Sequence, residues 1–489
     1  MFQVSIFCAI LILFSFTPLS VFPKDGGVRL DCDSVSNINI DELFWAKKGS
    51  IIEIRNEIDL KGKTLLIPDD CILRFYGGKI TNGKVIGSKT KIERKRKTAI
   101  FRNVSIEGTW NISTISSSFF EGKENVLQQV FALSDSLIYN KIIIEKGNYI
   151  VSRTDSNEGI LNLKSNSDVE IKGVISVEPN NYSQYYILNL KDVENVLVFG
   201  GSIIGDREEH IGSSGEWGHG IFIWGNSENI RIEGVDISNC WGDGVAIGRS
   251  VPVKNVELYK LRIENCRRNG ISVIACEGCS IKKCTIKNIN GTAPEYAVDI
   301  EPNKSGHVSD VDIEQIKIRS KSGILLPIVS LTDSHYIRRI RIINCDIKTK
   351  ERCICVDGAE DVLIEKNRLI NETEDRSIPL VIDHESRNVR VINNKVIKDL
   401  QEIDFGASVI FVNPDNVIIM GNSFQGKKCS LGYFVNENHT IKGNKILSRT
   451  GFTRIRGSLI ENNDYKGESF ILSEDNGCTI KNNRVRESK

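Results

Sequence analysis

Asn229-Ile-Arg-Ile-Glu-Gly234-Val-Asp-Ile-Ser-Asn239 is followed, 26 residues on, by Asn255-Val-Glu-Leu-Tyr-Lys260-Leu-Arg-Ile-Glu-Asn265. Each segment opens on Asn, alternates apolar and polar residues, turns, and alternates again. Apolar residues with a period of two mark strands with one buried face. The same opening recurs at Asp168, Asn195, Gly278, Asp310, Arg339, Asp361, Asn388, Asn416, Asn438, Gly457 and Gly477. The mean spacing is about 26 residues, and no helical periodicity intervenes. Each repeat therefore reads as one coil of a solenoid.

Three short strands and three turns fit a coil of that length. Parallel stacking of coils sets neighbouring strands about 4.8 Å apart. Ile230, Ile232 and Val235 then fill the interior. The expected fold is all-β, a right-handed parallel β-helix. Hairpin sandwiches lack a constant repeat of this size. Residues 1–23 form a short apolar stretch that reads as a signal peptide, so the protein is expected to be exported to periplasm, cell surface or medium. Residues 24–100 read as an N-terminal cap with the first coils, and 101–489 as the β-helix that carries the site. Glu124 to Phe131 is the only helical-looking piece. Cys240 and Cys266 occupy equivalent places and read as an interior stack, and Cys276-x-x-Cys279 lacks a second ligand pair for zinc.

Composition narrows the function classes. The chain has 489 residues, 40% hydrophobic, with 64 Lys+Arg against 63 Asp+Glu. That balance provides no field to hold nucleic acid or an anionic membrane. No segment is long enough for a stable membrane span. Forty Gly and two Met fit strands and turns better than helices.

Chemistry is sought where the repeat is broken. An insertion, Gly205-Asp-Arg-Glu-Glu-His-Ile-Gly-Ser-Ser-Gly-Glu216, lengthens one repeat to 34 residues, and Asn290-Gly-Thr-Ala-Pro-Glu295 lengthens another to 32. Long loops on a rigid scaffold tend to carry function. First strands align as His219-Gly-Ile-Phe-Ile-Trp, Asp243-Gly-Val-Ala-Ile-Gly, Asn269-Gly-Ile-Ser-Val-Ile and Tyr296-Ala-Val-Asp-Ile-Glu301. Val298 and Ile300 match inward residues, so Asp299 and Glu301 point outward, about 6.6 Å apart along the strand. Asp243 lies about two rungs away. Arg249, Arg267 and Arg268 sit at strand edges, and Trp217, Trp224 and Trp241 supply flat apolar surfaces.

Such a face suits a sugar. Paired carboxyls push their pKa values apart and so supply an acid and a base. The expected catalytic residues are Asp299, Glu301 and Asp243. The expected substrate-binding residues are His219, Arg267, Arg268, Trp241, Trp217, Arg249, Asp206, Arg207 and His210. The expected partner is a polysaccharide or oligosaccharide. Inverting hydrolysis needs no cofactor or metal. A uronan lyase is the alternative, with an arginine or Ca²⁺ neutralising the substrate carboxylate. A non-catalytic glycan-binding protein is the rival from another class.

From residue 45 onward the chain resembles the pectin-lyase-like superfamily. The resemblance is carried by Gly205-Asp-Arg, His210, Glu216-Trp-Gly-His-Gly220, Trp241-Gly-Asp-Gly244 and Val298-Asp-Ile-Glu-Pro302. These look like bacterial secreted β-helix proteins grouped with polysaccharide-degrading enzymes. The superfamily includes uronan lyases, polygalacturonase-like hydrolases, epimerases and phage tailspikes. The chain departs from the polygalacturonase order, because Gly218-His-Gly220 precedes Gly242-Asp-Gly244 and no Asp-Asp follows in a first strand. The Asp-Pro-His motif of uronan epimerases is absent.

Overall fold

The computed structural model describes residues 27–30, 46–122, 125–153, 158–302, 306–327, 337–372, 377–383, 386–398, 409–411, 416–466, 471–472 and 477–486. The expected signal peptide at 1–23 lies outside them. No described helix is long and apolar enough to cross a membrane. The described residues fall into two compact units that part between Asn111 and Ile112. In the first, strands Ile51–Ile54, Ile72–Phe75 and Lys79–Arg94 pair in parallel and bury Ile52, Leu73 and Phe75.

The second unit stacks its coils as three parallel sheets, of 15, 15 and 10 strands among the described residues. One coil runs Trp217–Trp224, Glu228–Glu233, Asp236–Ser238. The next runs Val245–Ile247, Val253–Tyr259, Arg262–Glu264, and each strand lies on its predecessor. A short helix, Val126–Ala132, falls where the sequence placed its one helical piece.

The repeated opening residue proves to be a corner. Asn195, Asn229, Asn255, Gly278, Asp310, Arg339, Asp361, Asn388, Asn416, Asn438, Gly457 and Gly477 all hold positive φ. Asn, Asp and Gly tolerate that left-handed backbone best, which explains their recurrence. The stacked corner amides bond one another, Asn229 Nδ2 to Asn195 Oδ1 and Asn255 Nδ2 to Asn229 Oδ1, at 3.3 and 3.2 Å. The first repeat corrects the sequence reading. Its corner is Asn166, not Asp168, because Ser167 pairs with Val196 and so sets Asn166 opposite Asn195.

Inward residues of the third sheet, Leu188, Ile221, Val245, Ile271, Val298 and Ile324, stack through six coils and are buried. Each contributes about 1.5–3 kcal/mol relative to exposure. Immediately before them stand Gly220, Gly244 and Gly270. A Cβ on these would meet the carbonyl oxygen of the next coil at 2.7, 2.7 and 2.5 Å. Cys240 and Cys266 pack beneath the first two, buried and free. At the C-terminal end the interior stack turns polar. Asn367, Asn394, Asn422, Asn444, Asn463 and Asn483 form a ladder in which each Nδ2 donates to the Oδ1 one coil on.

Candidate active site

The third sheet carries the site, on its outer face. Three consecutive coils repeat one hydrogen bond there. The Asp243 amide donates to His219 Nδ1, the Asn269 amide to Asp243 Oδ1, and the Tyr296 amide to Asn269 Oδ1, each at 3.0 Å. His219, Asp243 and Asn269 are therefore fixed in rotamer by the backbone of the following coil, and all three are buried. This row is the first column of the sequence alignment.

Three positions further along each strand, register runs Phe222, Ala246, Ser272, Asp299. Asp299 ends this outward row but is buried, as are Ala246 and Ser272. Asn269 Nδ2 donates to Asp299 Oδ2 at 3.1 Å and to Ser272 Oγ at 3.0 Å. Asp299 Oδ1 is buried and receives no hydrogen bond from an N–H or O–H. Glu301 follows on the same face, with 41% of its side chain exposed.

Arg268 joins the carboxylates. Its Nη1 lies 3.3 Å from Asp243 Oδ2, its Nη2 3.4 Å from Glu301 Oε2, and its Nε 3.3 Å from Glu216 Oε2. These are long contacts, so the guanidinium is shared among three carboxylates rather than committed to one. Burial alone would lower the Arg268 pKa, but Asp243, Glu301, Asp299 and Glu216 together raise it. Burial, then the charge of Glu301, push the Asp299 carboxyl well above the usual range. Arg268 opposes that rise, while Asp243 and a hydrogen bond with Glu301 add to it. Asp299 is thus the carboxyl of this group whose charged form is least favoured. Burial brings His219 down to about 4, with Asp243 opposing and Arg268 assisting. Its ring is neutral, and because Nδ1 accepts the Asp243 amide its proton sits on Nε2.

Other residues singled out from sequence serve the insertion loop. Asp206 accepts from Tyr185 Oη, from Asn180 Nδ2 at 2.9 Å and from His210 Nδ1 at 2.8 Å. The side chains of Asp206 and His210 have no exposed surface. His210 stacks on Trp241 at 3.9 Å, and the Arg267 guanidinium lies 3.8 Å over the same ring. Arg267 Nη1 donates to the Gly215 carbonyl, and Trp241 Nε1 to that of Ser214. Arg207 ties the two insertions, donating to the Asn265 carbonyl and to Asn290 Oδ1, both at 2.9 Å. Sequence reading placed Asp206, Arg207, His210, Trp241 and Arg267 at a sugar. In the structure these side chains bond within or against the loop, because a long insertion must satisfy its own backbone, and His210 Nε2 is left buried without a hydrogen bond. Trp217 is 46% exposed, and Arg249 lies over the Trp224 ring at 5.6 Å.

Sequence reasoning passed over three neighbours, Glu216, Tyr186 and Phe222. Glu216 pairs with Arg268. Tyr186, Phe222 and Trp224 form an aromatic wall with His219, with Phe222 and Trp224 stacked at 5.4 Å. The alignment that exposed Asp299 also placed Phe222 in its row, so that signal was present. Among the described residues no group of three His, Cys, Asp or Glu is arranged to hold a metal ion.

Comparison with known proteins accords with this architecture. Residues 210–326 match the family described as right handed beta helix region. The fold of the chain is a right-handed parallel β-helix. The SPbeta prophage-derived uncharacterized protein YorA of Bacillus subtilis (strain 168) is 28% identical over 307 residues, 54% of this chain and 49% of that protein. The uncharacterized protein YclG of the same strain is 30% identical over 243 residues, 44% of this chain and 39% of that protein. The β-helix chain therefore spans half or less of the length of these relatives. A mutant tailspike protein of E. coli bacteriophage HK620, solved in complex with pentasaccharide, superposes with a TM-score of 0.52. It shares 14% identity over 71% of this chain and 72% of its own, which is a likeness of fold.

Proposed function

We propose that this β-helix protein is an exported carbohydrate-active enzyme that hydrolyses glycosidic bonds of a polysaccharide with inversion. One observation carries the reading. Two carboxyls stand two residues apart on one strand face, one buried and holding a proton, the other half-exposed beside an arginine. That asymmetry is what an acid–base pair needs. Asp299 gives its proton to the glycosidic oxygen as that C–O bond breaks. Glu301 takes a proton from the water whose oxygen bonds to the anomeric carbon. Their strand positions are about 6.6 Å apart, and the hydrogen bond between the two carboxyls must part to admit the sugar and that water. Asp243 is a positioning residue, buried against Arg268 and the Asn269 amide. The aromatic wall of Phe222 and Trp224 suits the apolar face of a sugar ring. The similarly folded tailspike in complex with pentasaccharide is in keeping with a glycan ligand.

A lyase would ask for a cation left over for the substrate carboxylate, and Arg268 is already shared by three carboxylates of the chain. The test uses purified protein and a panel of plant, algal and host polysaccharides, following reducing ends and the ultraviolet absorbance of unsaturated uronates together. Reducing ends without absorbance, lost in Asp299→Asn and Glu301→Gln, are expected. Absorbance rising with the reducing ends makes the protein a lyase. Glycan binding without turnover makes it a binding module.

A further inference from the structure

Asn269 stands between the backbone of one coil and the carboxyl of another, and all of its polar hydrogens and its oxygen are engaged. Its Oδ1 accepts the Tyr296 amide at 3.0 Å. That bond decides which way the amide faces, since the opposite orientation would set an NH₂ against an N–H. Its Nδ2 hydrogens then go to Ser272 Oγ and to Asp299 Oδ2. A carboxyl oxygen that accepts from an amide cannot also hold the acid proton toward that amide. We infer that Asn269 is a positioning residue that forces the proton of Asp299 onto Oδ1, the oxygen that meets no donor. The inference rests on the reading of Asp299 as the acid, and it adds which oxygen delivers the proton and what selects it.

The selection is built into the coil. His219 and Asp243, in the equivalent places of the two preceding coils, also accept the next amide; an aspartate offers no donor and His219 only its Nε2–H, whereas Asn269 keeps two hydrogens on Nδ2. An Asp there could accept the Tyr296 amide and would leave the two oxygens of Asp299 alike. Removing the Asn269 donor does not remove the proton. A donor to Oδ2 favours the ionised form, so its loss holds the proton more firmly. What changes is the carbonyl, which loses its hydrogen bond.

Infrared spectroscopy reads that carbonyl directly. The difference spectrum of wild type minus Asp299→Asn at neutral pH is expected to show one protonated-carboxyl stretch. In Asn269→Ala the band should persist and move to higher frequency, as a carbonyl freed from a donor does. Asn269→Ser, too short to reach Asp299, should give the same shift and serves if the alanine variant does not fold. An unmoved band in a folded Asn269 variant overturns the assignment of Asn269. Absence of the band in wild type is a different failure, since it removes the acid itself and with it the proposed hydrolysis.

Discussion

Asp299→Asn should alter how the site coil responds to pH, with a sign and slope set by a single proton. In an unfolded chain an aspartyl carboxyl loses its proton near pH 4. In the fold its pKa is raised, chiefly by burial and by Glu301. The folded coil therefore keeps a proton that the opened coil releases. The stabilisation from that proton is fully present below about pH 4. It is lost as pH rises from there to the folded pKa, at about 1.4 kcal/mol per pH unit. Asparagine at 299 still offers an oxygen to Asn269 Nδ2 and does not titrate. The opening free energy of wild type, relative to the variant, should therefore fall as pH rises, at up to about 1.4 kcal/mol per pH unit, until the folded pKa is passed. Glu301, Asp243 and His219 are common to both proteins and largely cancel.

A solenoid opens coil by coil, so global unfolding is the wrong measure. Hydrogen exchange at the amides of Tyr296–Ile300, corrected for intrinsic rates and followed from pH 4.5 to 6.5, isolates this coil. Parallel profiles for the two proteins would mean that Asp299 is ionised in the fold, and the acid assignment would fail. A difference of opposite sign would mean a lowered pKa, and with it a carboxylate already paired.

Three further outcomes follow from the same geometry. The His219 imidazole should show no NMR titration between pH 5 and 8 and should protonate only as pH falls toward about 4, so the stabilisation from its neutral ring is present above 6.5 and lost below; a midpoint near 6.5 would contradict its burial against the Asp243 amide. Gly244→Ala should lower the melting temperature by the equivalent of about 1–3 kcal/mol, because its Cβ meets the Gly270 carbonyl oxygen at 2.7 Å; an unchanged calorimetric melt would refute the close approach of these coils. Asn422→Leu strips the buried Asn394 amide and the Val391 carbonyl of their partners, at about 2–6 kcal/mol together; exchange at 391–396 should accelerate, and protection equal to wild type would show the ladder to be dispensable.

The sequence made the lateral contacts of this site legible and left its depth unread. In a parallel solenoid, aligning repeats is the same as finding spatial neighbours. The pairing of Ala246 with Ser272 and Ser272 with Asp299 was therefore readable from period and register. What lies above a strand is not periodic. Asp243 and Asp299 alternate outward, yet both are buried. That burial comes from small neighbours in the row and from the reach of Arg268 toward carboxylates on three strands, which no spacing encodes. The bonds that Asp206 and His210 make within their loop were illegible for the same reason, since a loop that bonds itself leaves no signature in spacing. The misplaced corner at Asp168 has a simpler cause. Asp168-Val-Glu-Ile has the alternation of a later repeat shifted by two, and a period of two cannot distinguish such a shift.

The charges around Arg268 explain why a proton is favoured on Asp299. Asp243, Glu216 and Glu301 each contact that one guanidinium. Asp243 is buried, but it has Arg268 and the Asn269 amide to stabilise a charge. Glu301 and Glu216 have solvent as well. Asp299 has a single amide donor and no solvent, so the last negative charge is least favourable there. The fold does not specify this outcome, since every coil has the same backbone bonds. It arises because Ala246 and Ser272 leave the row too small to solvate a carboxylate at 299 and because Glu301 stands beside it, while Asn269 acts only on which oxygen keeps a proton. A site of this kind can be built on a uniform solenoid by changing a few side chains in consecutive coils, with the backbone left as it was.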